Sequence, residues 1–132
     1  MANTLTLLEH TPRWIEELCN EIDTLKFRSA FDRFETDAEL HFGAQLFRGA
    51  QAMKNLFVKI DSPIIVKHQM LETWSGENMH FLRGQAEMAK RTEPDNKVVA
   101  PYMWFFYGQI EGTGSVSKWL VTAGPLKADA VL

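Results

Sequence analysis

His68 and Tyr102 are the side chains in this sequence best suited to moving a proton. An unperturbed imidazole titrates near neutrality, and the segment around His68 reads as a strand with apolar residues predicted around the ring. It suits a general base or acid. Tyr102 carries a hydroxyl that can donate to a carbonyl or enolate oxygen, as oxyanion donors do. Together they fit proton abstraction next to a carbonyl. Each has an ordinary alternative: a core histidine satisfied by a backbone carbonyl, and an aromatic wall residue with its hydroxyl at a rim. Lys118 is a third candidate, as a base or an anion site, against a stem that covers apolar surface while the ammonium reaches water.

Other combinations fail on spacing. Asp37 and His41 resemble a dyad, but four residues span about 13 Å on a regular strand, beyond hydrogen-bond reach. Asp37 suits a turn or cap, and His41 points away from inner Leu40 and Phe42. Glu72 shares the strand face of His68 and is equally distant. His10 and His80 read as solvated. Four scattered histidines and one cysteine offer no ligand spacing, so no metal and no cofactor is expected. No phosphate-binding loop or Ser-His-Asp signature is present.

The elements that must position these residues follow from periodicity. Residues 11–22 read as a helix, with Thr11 as cap, Pro12 at the first helical position, and Trp14, Ile15, Leu18, Cys19 and Ile22 on one face. Asp23-Thr24 breaks it and opens a second helix carrying Phe27, Ala30, Phe31 and Phe34. Asp37 to Gly43 alternates like a strand, with a return strand Leu46-Phe47-Arg48. Gly49 opens a third helix that buries Met53, Leu56, Phe57 and Ile60 and ends at Asp61-Ser62-Pro63. Four strands follow over 64–74, 79–90, 98–110 and 115–123. Helices, a hairpin, a helix and a long meander make an α+β domain. Its curved mixed or antiparallel sheet wraps the N-terminal helices as a cone open at one end.

The centre of that sheet is Tyr102-Met103-Trp104-Phe105-Phe106-Tyr107, too aromatic for either face to be fully solvated. Strand parity assigns the faces. Leu82, Gly84, Ala86 and Met88 point inward. A three-residue turn places His68 opposite Ala86 and Met70 opposite Gly84. With Gly112-Thr113-Gly114 as the next loop, Trp104 lies opposite Thr122 and Phe106 opposite Leu120. The inner face then includes Tyr102, Trp104, Phe106, Lys118, Leu120 and Thr122. Met103, Phe105, Tyr107 and Trp119 face outward, which predicts a homodimer.

Composition bounds the rest. The 132 residues suit a single domain with a core over about 10–126. A net charge of −3 gives no general attraction to nucleic acid or acidic membranes. No apolar run is long enough to span a bilayer, and the N-terminus lacks a signal-peptide pattern. Cys19 is alone, so no internal disulfide forms. These features favour a cytoplasmic protein.

The run Asp37 to Gly43, Arg48-Gly49 with the helix after it, His68, Trp74 and Gly124-Pro125-Leu126 resembles the SnoaL-like branch of the nuclear transport factor 2-like superfamily. The resemblance implies a cone-shaped α+β fold with an apolar pocket, often dimeric. It implies cofactor-free acid–base enzymes, such as polyketide cyclases, ketosteroid isomerases, scytalone dehydratase and limonene epoxide hydrolase, or non-catalytic binders. Of the family's functional positions it carries over His68 and the pocket-lining class of Tyr102 and Trp104. The positions aligned with the isomerases' catalytic acids hold Phe42 and Phe106. Where many SnoaL-like chains place an Asp on the last strand, this chain has Thr122.

The expectation is an isomerase, cyclase or dehydratase type of enzyme for a hydrophobic carbonyl compound. His68 would be the base and Tyr102 the oxyanion donor. Phe42, Trp104, Phe106, Leu82, Met88, Lys118 and Thr122 would bind substrate. The alternative is a ligand-binding or protein-interaction module of the same fold.

Overall fold

A computed structural model describes residues 4–108 and 115–124. Strand β1 (Thr6–Leu7) precedes helix α1 (Arg13–Thr24). A 3-10 turn (Ala30–Arg33) leads into β2 (Phe34–Phe42) and β3 (Gln45–Arg48). Helix α2 (Ala50–Asp61) is followed by β4 (Ile64–Gly76), β5 (Met79–Lys90), β6 (Val98–Gly108) and β7 (Val116–Ala123). The seven strands form one sheet in the order β1-β4-β5-β6-β7-β2-β3. The pair β2–β7 is parallel and every other pair is antiparallel. The architecture is the expected α+β one, with an open mixed sheet.

Helix α1 forms because its apolar residues recur on one side, and Ile15, Leu18, Cys19 and Ile22 are buried there. Pro12 is its N-cap residue and accepts the first N–H, from Ile15, at 3.0 Å. Thr11 does not cap; its hydroxyl meets that of Thr73 at 2.9 Å. Leu25 ends the helix in the left-handed region, φ 55°.

The expected second helix does not form. Glu21 accepts the N–H groups of Arg28 (2.7 Å) and Ala30 (2.9 Å), which holds residues 25–29 in a loop. Only the single 3-10 turn follows, and β2 starts as early as Phe34. The helical spacing of Phe27, Ala30, Phe31 and Phe34 marked residues that pack inward, not their backbone conformation. Phe31 still meets Phe27 at 5.4 Å and Phe34 at 5.7 Å.

Two registers decide what faces the interior. His68 pairs with Ala86 and Met70 with Gly84, as expected, but by another route. The turn has two residues, Glu77 and Asn78, and an irregularity between Met70 and Glu72 absorbs the difference. That bulge turns Glu72 outward to Arg83, with which it forms an ion pair. It also brings Thr73 inward. His80, on the regular strand β5 and in phase with Leu82 and Gly84, is buried rather than solvated, with its ring against Trp14 at 6.2 Å.

The second register differs from the parity expectation by one residue. Trp104 pairs with Val121, Phe106 with Trp119, Tyr107 with Lys118 and Met103 with Thr122. A shift between Tyr107 and Gly108 sets this, at a glycine with φ 140° where a side chain would collide with Ser115 and Ser117. The expected loop residues, Gly112-Thr113-Gly114, lie outside the described residues, as do Pro125 and Leu126. A one-residue slip inverts every side chain. Trp119 therefore enters the core, stacked on Phe34 (5.5 Å), Phe57 (5.5 Å) and Phe106 (5.4 Å). Lys118, Leu120 and Thr122 leave the inner face. The gain is physical: a large, fully buried ring system replaces an ammonium and a hydroxyl, at the cost of one indole N–H that has no hydrogen-bond partner among the described residues.

Candidate active site

A cavity of about 340 Å3 lies between the end of α2 and the inner faces of β4, β5, β6 and β7. Its walls are largely aromatic: Phe42, Phe57, Tyr102 and Trp104. Its titratable groups are His68, Asp61 and Tyr102, and among the described residues no lysine or arginine lines it. A second depression, of about 530 Å3, includes Lys67, Gln69, Gln85 and Glu87 from the outer face. Of its polar side chains, Gln85 is paired with Gln69 at 3.0 Å and Glu87 with Lys97 at 3.3 Å, and His68 borders both depressions. The inner cavity is the one that joins His68 to a second, buried acid, Asp61.

His68 is held from the end of α1. Its Nδ1 lies 2.5 Å from Asp23 Oδ1, and its backbone N–H donates to Asp23 Oδ2 at 3.0 Å. A carboxylate only accepts, so a neutral His68 carries its proton on Nδ1 and leaves Nε2 as the lone-pair nitrogen. Nε2 has no hydrogen-bond partner among the described residues. The ring is clamped edge-on by Tyr102 (centroids 5.1 Å apart) and by Trp104 at 5.5 Å. The imidazole is thus oriented by a second group and by packing, a geometry that suits acid–base chemistry.

Asp61 enters the same cavity from the last residue of α2 and is 7% exposed. Its Oδ2 is buried and has no hydrogen-bond partner among the described residues. Burial raises its pKa from 3.8 to about 6, against a smaller lowering by His68 and with a further rise from Asp23.

Tyr102 lines the cavity with its ring, but its hydroxyl is engaged elsewhere. It donates to the Gln69 carbonyl oxygen at 3.4 Å and neighbours the Cys19 thiol. Neither residue lines the cavity. Burial pushes both the phenol and the Cys19 thiol far up, so both are neutral. Gly84 makes this placement possible, since a side chain there would collide with the Tyr102 hydroxyl and the Gln69 carbonyl.

Phe42, Trp104 and Met88 line the cavity. Leu82 and Phe106 are fully buried in the core and contribute no lining. Lys118 sits on the outer face beside Glu39, to which it is paired across the parallel strands. Glu39 also binds His41 (3.1 Å) and Arg48 (2.9 Å), and this company lowers its pKa, the His41 hydrogen bond most. Thr122 is exposed at a surface depression with Met103. Asp37 is exposed and far from any dyad.

Asp23 and Asp61 were not singled out by sequence. Asp23 read as a helix breaker and Asp61 as a helix end. The pairing of His68 with Asp23 spans 45 residues, which spacing rules do not reach. One signal was available: both acids lie in the last turn of a helix, where the macrodipole disfavours negative charge. Among the described residues no group of three His, Cys, Asp or Glu side chains could hold a metal ion. None of their helices is long and apolar enough to cross a membrane.

No protein-family model and no curated protein sequence matches the chain. Solved structures do. A Catenulispora acidiphila hypothetical protein with a ketosteroid isomerase-like fold, in complex with trimethylamine, superposes with a TM-score of 0.72 at 10% identity, covering 86% of each chain. A proposed SnoaL-like polyketide cyclase from Jannaschia sp. gives 0.70 at 10% identity, over 88% of this chain and 90% of that one. An LEH-like epoxide hydrolase from M. tuberculosis gives 0.64 at 12% identity, over 83% and 78%. The fold is the nuclear transport factor 2-like one, shared with SnoaL-like and ketosteroid isomerase-like proteins.

Proposed function

We propose that the chain is a cofactor-free acid–base enzyme for a small hydrophobic carbonyl compound. The observation that carries this reading is the Asp23–His68 pair, with His68 in the wall of an aromatic cavity. In the proposed step, Nε2 takes a proton from the carbon next to the carbonyl. Asp23 fixes the ring and balances the imidazolium charge. Returning the proton elsewhere on the substrate gives isomerisation, expelling a β-hydroxyl gives dehydration, and attack on an internal carbonyl gives cyclisation. A volume of about 340 Å3 falls within the range of small-molecule sites.

The test is deuterium incorporation from D2O into small cyclic ketones and enones, followed by NMR. Wild type should accelerate exchange, and His68→Gln should lose at least about 100-fold of that acceleration. Equal rates in the two proteins would remove His68 from the mechanism.

A ligand-binding module is the second reading. It is favoured by the phenylalanines at the acid positions of the isomerase pattern, Phe42 and Phe106, and by the engaged hydroxyl of Tyr102. Its signature is a ligand that raises Tm with no exchange in any substrate. The exposed apolar side chains of the outer face, Val99, Met103 and Tyr107, support a homodimer in either case. Light scattering at micromolar concentration tests that, and a monomer would refute it.

A further inference from the structure

We infer that the cavity recognises a substrate carrying a basic nitrogen, a hydrophobic ammonium ion, with Asp61 as its counter-ion. The inference names the substrate class of the proton-transfer site proposed above and rests on that reading only in sharing its cavity.

The first argument is placement. Asp61 is buried, its Oδ2 lacks any hydrogen-bond partner among the described residues, and it lines the cavity. It also ends α2, where the helix carbonyls repel a carboxylate. The residue therefore works against the fold in burial, in pairing and in helix electrostatics. Such a group calls for a donor that the described residues do not supply.

The second argument is charge. The charged groups that act on Asp61 are His68, from β4, and Asp23, from α1. If His68 is protonated, it and Asp23 cancel; if neutral, Asp23 stays negative. The cavity carries excess negative charge in both cases, because Tyr102 is neutral and no lysine or arginine lines the site among the described residues. A substrate ammonium offsets that charge and supplies the missing donor to Oδ2.

The third argument is the wall. Phe42, Phe57, Tyr102 and Trp104 present aromatic rings to the same volume. Aromatic faces attract cations, most strongly when water is excluded.

The experiment compares benzylamine with benzyl alcohol, which match in size and differ in charge. Isothermal calorimetry near pH 7.5 should give benzylamine at least about ten-fold the affinity of benzyl alcohol. Asp61→Asn should bring the ratio close to one. Wild type alone gives a second reading: near pH 5, below the raised Asp61 pKa of about 6, the preference should shrink several-fold. Equal affinities in wild type, absence of benzylamine binding, or a preference unaffected by both Asp61→Asn and pH would each overturn the inference. The exchange assay uses ketones without nitrogen, so the two readings fail separately. Exchange that depends on His68 without an amine preference sinks this inference alone. An amine preference without any exchange sinks the catalytic reading alone.

Discussion

Helices α1 and α2 each carry an aspartate in their last turn, Asp61 lining the cavity and Asp23 holding the His68 that lines it, and the two acids live differently. Asp23 has both oxygens occupied by one residue, the His68 ring and its backbone N–H. Asp61 has a buried oxygen with no partner among the described residues. The helix end is equally unfavourable for both. The difference is that the fold supplies Asp23 with compensating donors and leaves Asp61 short of one. A satisfied acid positions; an unsatisfied acid waits for something that binds. In this comparison Asp23 is part of the protein's own structure, and Asp61 keeps an oxygen that no described residue meets.

Removing the satisfied member should have the larger effect. Asp23→Ala deletes two charge-assisted hydrogen bonds and frees the imidazole to rotate and change tautomer. Stability should fall by roughly 1.5–3 kcal/mol, read from urea unfolding. Deuterium exchange should fall by about 100-fold, as expected when a base loses its orienting carboxylate. A variant with wild-type exchange would show that the pair is structural only.

Removing the unsatisfied member should act with the opposite sign. Asp61 has a folded-state pKa of about 6 against an ordinary 3.8. A raised carboxylate pKa favours the protonated folded state. The associated stability is present below about pH 4 and is lost as pH rises through about 6, a total of roughly 3 kcal/mol at most. Asparagine has no proton to lose. Asp61→Asn should therefore be more stable than wild type above about pH 6, by roughly 2 kcal/mol, with the gap closing near pH 4. Melts across that range check it. A destabilised variant at pH 8 would mean that Asp61 has a partner after all, and the contrast with Asp23 would collapse.

The parts of the molecule governed by local rules were legible before the structure. The boundaries of β5, the start of α2 after Gly49, and the inward set Leu82, Gly84, Ala86 and Met88 follow from alternation and turn residues, whereas the expected pairing of His68 with Ala86 arises only because a bulge offsets a shorter turn. What was illegible depended on single irregularities. One bulge near Leu71 sent Glu72 out and brought Thr73 in. One shift at Gly108 exchanged Lys118 and Thr122 for Trp119. Period-two reasoning cannot see a residue that breaks the period. The aspartates were hidden for another reason. A helix end looks the same in sequence whether its acid meets water, a histidine from a distant strand, or a cavity.

Tyr102 offers the finest test of the same contrast, because sequence made it an oxyanion donor and the structure gives its hydroxyl an internal partner. A hydroxyl satisfied within the protein resembles Asp23, not Asp61. Tyr102→Phe keeps the ring against His68 and Trp104 and removes only the bond to the Gln69 carbonyl, at 3.4 Å a long one. Stability should drop by about 0.5–1.5 kcal/mol, the net worth of one neutral hydrogen bond. Exchange should change by less than about three-fold, because the transition state loses no donor. A loss of 100-fold or more, the size expected for an oxyanion donor, would mean that the hydroxyl swings from Gln69 to the substrate during the reaction. Tyr102 would then join the groups whose partner arrives with the ligand, and the division between the two acids would extend to a third residue.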